Sequence, residues 1–204
     1  DNPAVIHALN NPSDLVTEIE DQFNLPTKKW LDRADRSPDG TPILRALIDF
    51  TDTGDSNELR WYKRFPASMG KEYRITKRNK NGLTLTKTTP TFVLVDGKRE
   101  RVKVELEVTN KPDAIRKMAS DKYFLVSNRG HSGHGVKQWE NAGWDSVLGL
   151  IGSCNGGSAA PNYQKENPGT IFFGTHKTGK GFINNAMLRN VIKSLGKCED
   201  TGCL

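Results

Sequence analysis

The chain has 204 residues, of which 35% are hydrophobic, and it carries a formal net charge of +6. This length suffices for one well-buried domain, or for one domain with a small appendage. The apolar runs are much shorter than the roughly 20 residues of a membrane-spanning helix, and the first residues do not form a signal peptide. We therefore expect no membrane association.

The distribution of basic residues and cysteines narrows the possible partners and compartments. Lys and Arg are scattered along the chain and mixed with Glu and Thr, so nucleic-acid binding is not predicted. The three cysteines, Cys154, Cys198 and Cys203, do not form a disulfide framework, which favours a reducing, cytoplasmic compartment. A start at Asp1 is typical of a processed chain, which leaves open secretion and association with other domains or chains of a longer precursor.

The first part of the chain predicts helices and one buried strand. Three short helical patterns, AVIHAL, PSDLVTEIEDQF and PTKKWLDRA, fall within the first 40 residues. The apolar run ILRALIDF at 43–50 predicts a buried strand. An acidic loop, TDTGDS, follows it, and NELRWYKRF then predicts a helix capped by Ser56 and Asn57.

The next segment has the texture of β-structure. Polar and apolar residues alternate from Lys71 to Thr109, with hairpin turns at Asn81-Gly82 and Asp96-Gly97. We interpret about 71–109 as a β-hairpin insertion with solvated strand faces.

The second half alternates helices with apolar strands. The predicted strands are 123–128, 146–152 and 170–175. A short helix, KPDAIRKMAS, precedes the first of them, a Gly/Pro-rich loop precedes the last, and FINNAMLRNVIKSLG predicts a closing helix. This alternation predicts an α/β fold with a mostly parallel sheet flanked by helices. We divide the chain into an N-terminal helical segment (1–40), an α/β domain (41–196) and a tail (197–204).

The segment GTHKTGKG nearly matches a phosphate-binding loop, because Gly174, Gly179 and Lys180 fit its spacing. The position after the lysine is Gly181, where that loop needs Ser or Thr to hold the metal, and no later strand supplies an Asp. A nucleotide-dependent enzyme using Lys180 is therefore a distant alternative. We interpret the segment as a flexible strand-to-helix connection that lines a substrate pocket with Gly174 and His176.

A histidine and a cysteine follow the ends of two successive apolar strands. The first strand leads into Arg129-Gly130-His131 and the second into Ser153-Cys154. Because parallel neighbours end at the same edge of a sheet, about 4.8 Å apart, His131 and Cys154 could act as an imidazole–thiol pair. The glycines after Cys154 favour close approach of a substrate carbonyl. Backbone N–H groups of Cys154 and of Gly130–Ser132 would then form the oxyanion hole.

Two other interpretations of the same residues remain. Cys154 could be a small buried residue of a non-catalytic binding module. A metal could be held by His131, His134, Cys154 and His176, but H-x-x-H without a nearby third ligand is a weak pattern, so we predict neither metal nor cofactor.

The pattern RGHSGH…GSCNGG resembles the signature of caspase-like cysteine peptidases, the group of caspases, metacaspases, gingipains, clostripain, legumain and separase. It is closest to bacterial caspase-like proteins of uncharacterised role. The resemblance covers about residues 43–195 in the order of elements, with specific matches in about 30 residues. It implies a caspase-like fold, a thiol endopeptidase acting on proteins or peptides, and a His-Cys dyad that needs no third residue.

The choice of the base depends on two departures from the family pattern. The family has His-Gly, whereas His131 precedes Ser132 and the literal pair is His134-Gly135. The separation of 23 positions from His131 to Cys154 is shorter than the roughly 50 of caspases and nearer the compact separase-like arrangement. We prefer His131, which is nearer the strand end, with His134 as the competing base.

The acidic loop after the first strand bears on specificity. In caspase-like folds this loop helps to line the pocket for the substrate's P1 side chain, so the resemblance implies that Asp52 and Asp55 would favour Arg or Lys at P1. An unpaired buried charge costs several kcal/mol, which is enough for discrimination. Ordinary turn and capping roles are the alternative.

Overall fold

The computed structural model describes residues 27–51, 54–131, 136–140, 146–154, 156–174 and 181–194. Its strands are β1 (Ile43–Phe50), β2 (Tyr73–Asn79), β3 (Gly82–Lys87), β4 (Thr91–Val95), β5 (Lys98–Thr109), β6 (Tyr123–Arg129), β7 (Leu148–Gly152) and β8 (Ile171–Gly174). Its helices are α1 (27–33), α2 (Ser56–Ser68), α3 (Ala114–Met118), α4 (Gly156–Glu166) and α5 (Gly181–Ser194), with a 3-10 turn at Val136–Gln138.

The eight strands of the described ranges form one mixed sheet in the order β2-β3-β5-β1-β6-β7-β8, with β4 paired to β5. Five of them, β5, β1, β6, β7 and β8, run parallel to their neighbours in that group. The predicted α/β class with a mostly parallel sheet is therefore confirmed. Within this group the strand order reverses between β1 and β6, and ligands bind in such sheets outside the carboxyl ends of the strands at that switch point.

The segment 71–109 is part of this sheet rather than an insertion beside it. Both hairpins form as predicted, β2 with β3 and β4 with β5. The second half of β5, however, lies parallel to β1, from the pair Ile43–Lys103 to the pair Asp49–Thr109. The alternating Glu residues of β5 had predicted a solvated strand face. Arg45 of β1 partly covers that face, with its Nε 3.3 Å from Glu105 Oε2.

Helices cover both faces of the sheet. On one face, Phe65 of α2 and Leu188 of α5 pack into a buried cluster with Ile48 and Phe50 of β1. On the other face, α3, α4 and the 3-10 turn cover a second cluster that includes Leu47 of β1. Burying each such side chain is worth about 1.5–3 kcal/mol. The core is thus divided between two layers with the parallel strands in the middle.

Residues 156–166, predicted as a Gly/Pro-rich loop, form helix α4 instead. Tertiary packing outweighs the poor helix propensity of this segment, because Tyr163 is buried with its ring 6.3 Å from that of Trp139. A Cβ on Gly156 would collide with the backbone carbonyl of Ile151, so glycine lets the helix begin directly on β7.

The N-terminal region is described only from residue 27. Helix α1 lies within the third predicted helical pattern, and the two earlier patterns are outside the described residues. Trp30 of α1 is buried in the same cluster as the first-strand residue Leu44, and its indole N–H donates to the Lys122 carbonyl at 2.9 Å. In the described ranges, no helix has the length and apolar character to cross a membrane.

Candidate active site

The carboxyl ends of β1, β6 and β7 are in register. Arg129 at the end of β6 pairs with Phe50 of β1 on one side and with Gly152 of β7 on the other. The Thr51 N–H donates to the Arg129 carbonyl at 2.8 Å, which extends the β1–β6 ladder past the strand end. His131 and Cys154 each follow this aligned pair by two residues along the chain, after the ends of adjacent strands.

Cys154 lies between the end of β7 and the start of α4. Its side chain is half-buried and is not in a disulfide. Helix α4 begins two residues later, at Gly156. A helix N-terminus directs N–H groups and the positive end of its dipole outward, which favours an anion such as a thiolate or an oxyanion. Helix α4, where the sequence predicted a loop, therefore provides a positive electrostatic potential near the Cys154 thiol.

His131 lies beside an acidic residue from the loop after β1. The His131 Nε2 atom is 3.7 Å from Asp55 Oδ2, and the imidazole is largely exposed. Asp55 also caps α2, since its Oδ1 accepts from the backbone N–H of Asn57 at 2.6 Å and from that of Glu58 at 3.3 Å. These backbone hydrogen bonds, together with His131, lower the pKa of the Asp55 carboxyl. The prediction that Ser56 and Asn57 cap α2 was wrong, because the helix cap is Asp55.

Arg129 is a functional candidate to which the sequence assigned no role. Its side chain is only 1% exposed. The guanidinium donates to Asn185 Oδ1 at 2.8 Å, to Glu58 Oε1 at 3.3 Å and to the Gly152 carbonyl. Burial lowers the pKa of Arg129, whereas the neighbouring Glu58 and Cys154 charges act in the opposite direction. A buried cation therefore lies within electrostatic range of the Cys154 sulfur.

A second polar network, distinct from the hydrogen bonds of Arg129, anchors the segment between β6 and β7. Gln138 donates from Nε2 to Asp49 Oδ2 and to Thr51 Oγ1, both at 2.8 Å. The neighbouring Trp139 donates its indole N–H to Asn128 Oδ1 at 2.9 Å. Asp49, Gln138, Trp139 and Asn128 are all buried. These contacts fasten residues 138 and 139, which follow the histidine loop, to the ends of β1 and β6.

Gly174, a predicted substrate-pocket residue, lies against the start of α4. A Cβ on Gly174 would lie 2.5 Å from the Gly157 nitrogen and 2.6 Å from the Gly156 carbonyl carbon. The end of β8 therefore touches the helix terminus that follows Cys154. Gly130 lies directly after β6, between Arg129 and His131. The other predicted site residues are outside the described ranges: Asp52, Ser132, His134, His176 and Lys180.

At the ends of β6 and β7, the described residues thus place the His131 imidazole beside Asp55 and the Cys154 thiol just before the start of α4. In this part of the chain, no three His, Cys, Asp or Glu side chains are grouped to hold a metal ion. Comparison with models of known protein families gives no match, and neither does comparison with curated proteins. The proposed function therefore rests on the geometry of the site.

Proposed function

We propose that the protein is a cysteine endopeptidase in which Cys154 is the nucleophile and His131 the general acid and base. The observation that carries the proposal is the aligned ends of β6 and β7. His131 and Cys154 each follow the Arg129–Gly152 pair by two residues. The start of α4 next to the thiol and the buried Arg129 add positive potential where a thiolate would form.

In this mechanism the Cys154 thiolate attacks the scissile carbonyl and forms a tetrahedral intermediate. The protonated His131 then gives its proton to the leaving amine as the C–N bond breaks, which leaves a thioester on Cys154. His131 next takes a proton from water as the water attacks the thioester. The C–S bond then breaks, which releases the carboxylic product and restores the Cys154 thiolate beside the protonated His131. Backbone N–H groups of Cys154 and of Gly130–Ser132 stabilise the oxyanion in both halves of the reaction.

Asp55 extends this pair. With Oδ1 engaged by the start of α2 and Oδ2 facing His131, the carboxylate is suited to orient the imidazole. The resemblance implied a dyad without a third residue. We now propose Asp55 as a positioning residue for His131. A preference for Arg or Lys at P1 stays a proposal that rests on the negative charge of Asp55 and Asp52.

The same features support the resemblance to caspase-like peptidases, including a caspase-like fold. A doubly wound parallel sheet carries the candidate imidazole and thiol after adjacent strands, next to the β1–β6 switch point. A reducing compartment such as the cytoplasm would keep the Cys154 thiol free.

The proposal is tested with a panel of fluorogenic peptides that differ only at P1. We expect cleavage after Arg or Lys, and a loss of at least about 10³-fold in kcat/KM for Cys154→Ala. A variant lacking both tail thiols, Cys198→Ala with Cys203→Ala, is the control and should retain full activity.

Three outcomes of this assay would count against parts of the proposal. Activity that persists in pure, folded Cys154→Ala protein contradicts the mechanism. Cleavage only after Asp, Asn or small apolar residues contradicts the basic P1 preference. If the wild-type protein cleaves no peptide of the panel, it is better explained as a non-catalytic α/β binding module.

A further inference from the structure

A small cavity lies between α2 and α5. Its volume is about 130 Å³, and α2 lines it with Trp61, Arg64 and Phe65. Helix α5 contributes Asn185 and Arg189 to the lining. The cavity is smaller than the roughly 300–1,000 Å³ pockets that hold drug-sized ligands, so it can admit only a small group.

The two arginines of this cavity have no acidic partner among the described residues. Within the described ranges, neither Arg64 nor Arg189 forms a hydrogen bond or an ion pair. The other charged residues of α2 and α5 are Arg60, Lys63 and Lys193, with Glu58 as the acid of the two helices. Glu58 is already paired with Arg129. An anion is therefore the complement that these helices lack.

Asn185 provides a third donor with a fixed orientation. Its Oδ1 accepts from Arg129 Nε at 2.8 Å, and because a guanidinium can only donate, the amide cannot be turned the other way. Its Nδ2 is buried and has no hydrogen-bond partner in the described residues. Ser68, also in the lining, already donates to the Phe65 carbonyl at 2.7 Å and supplies no donor. Within the described residues, the cavity wall thus carries two arginines without a partner and an asparagine whose buried N–H donor is unpaired.

We propose that this cavity is a binding site for a small oxyanion, either a phosphate or a carboxylate group. The planar guanidinium groups of Arg64 and Arg189 would each offer paired N–H donors to its oxygens. Trp61 and Phe65 would shield one side of the bound group from water. Cys154 is not among the described residues that line this cavity, and Asn185 and Arg129 connect the two places, so the site goes beyond the proposed peptidase activity.

The test is isothermal titration of the Cys154→Ala protein with inorganic phosphate and, separately, with succinate, at constant ionic strength set by chloride. Using this variant makes the result independent of whether the peptidase proposal holds. We expect saturable one-site binding of at least one of the two anions, and the tighter one identifies the group. Arg64→Gln and Arg189→Gln should each weaken binding about tenfold or more.

Two control variants separate a built site from general surface charge. Lys63→Gln removes a positive charge from an exposed position on the same helix that does not line the cavity, and it should leave the affinity unchanged. Arg189→Lys keeps the charge but loses the paired donors, so it should still weaken binding. The proposal is overturned if neither anion shows saturable binding, or if Lys63→Gln weakens binding as much as Arg64→Gln does.

Discussion

Asp55 connects the start of α2 with the candidate imidazole. One carboxylate oxygen accepts two backbone N–H groups of the helix, and the other lies 3.7 Å from His131 Nε2. The helix cap holds the carboxylate in place, so the position of His131 relative to the strand end is coupled to the β1–α2 loop. A local capping residue thereby gains a role in the proposed chemistry.

The two roles of Asp55 can be separated by substitution. Asp55→Asn keeps a good capping residue but removes the charge that faces His131. We expect its kcat to fall about tenfold with an unchanged KM and an unchanged melting temperature, because the imidazole loses the carboxylate that orients it. Asp55→Ala should lose thermal stability as well.

Asp113→Asn provides a matched control for this experiment. The Asp113 carboxylate pairs with Lys117 of α3, at 3.5 Å, rather than with an imidazole. This variant should retain the wild-type kcat. If Asp55→Asn also has the wild-type kcat, Asp55 acts only as a helix cap.

His131 and Cys154 could be predicted from the sequence because each follows an apolar strand, whereas Arg129 could not. The role of Arg129 depends on Glu58 and Asn185, which are 71 and 56 residues away along the chain. A charged residue at the end of a strand normally reaches solvent. Only the packing of α2 and α5 over the end of β6 encloses this one.

At the scale of elements, the start of α4 determines the surroundings of the thiol. The sequence Gly-Gly-Ser-Ala-Ala-Pro has the composition of a loop, and local propensity gives no reason to expect a helix there. The helix forms because Tyr163 packs against Trp139, and because glycines let its first turn approach β7 and β8. Such contacts between distant segments are invisible to a local pattern.

The contact of β8 with α4 predicts a large effect of one added methyl group. Gly174→Ala would force a Cβ against the Gly156–Gly157 backbone, and backbone atoms cannot move aside as a flexible side chain would. We expect a loss of about 1–3 kcal/mol in the free energy of unfolding, measured by denaturant titration, together with slower peptide cleavage.

Gly54→Ala is the matched control for this substitution, because a Cβ at Gly54 would meet no atom within 4 Å. It should leave the free energy of unfolding nearly unchanged. Equal behaviour of Gly174→Ala and Gly54→Ala would mean that β8 does not press on the start of α4.

At the scale of the whole molecule, the parallel strands could be predicted individually, but their order could not. The runs at 43–50, 123–128, 146–152 and 170–175 all form strands of the sheet. The place of β5 beside β1 was missed, because its Glu residues are matched by Arg45 only once the two strands are paired. Strand order is a property of such long-range pairings.

The ion-pair cluster around Arg45 predicts how stability depends on pH. Asp35 accepts from Lys122 Nζ at 2.6 Å and also pairs with Arg45, and these contacts lower the pKa of its carboxyl. A lowered pKa in the folded state contributes stability above the ordinary value of about 3.9, and that contribution is lost as the pH falls through the folded-state pKa.

We therefore expect Asp35→Asn to be less stable than the wild type at pH 7, by up to about 1 kcal/mol for this half-exposed cluster. The difference should shrink as the pH falls below about 4. Denaturant titrations at pH 7 and pH 3 measure it. A difference that is equal at both pH values would mean that the Asp35 charge does not contribute to stability.

The most direct test of the proposed dyad is the alkylation rate of Cys154 relative to the two other cysteines of the chain, measured by peptide mass mapping at pH 6.5. Cys198 and Cys203 serve as internal controls in the same sample. The proposed mechanism predicts that Cys154 reacts at least about tenfold faster than either, and that His131→Asn removes this excess, because the imidazole no longer accepts the thiol proton. If Cys154 reacts no faster than Cys198 and Cys203, or if His131→Asn leaves its rate unchanged, the two residues do not form a catalytic pair.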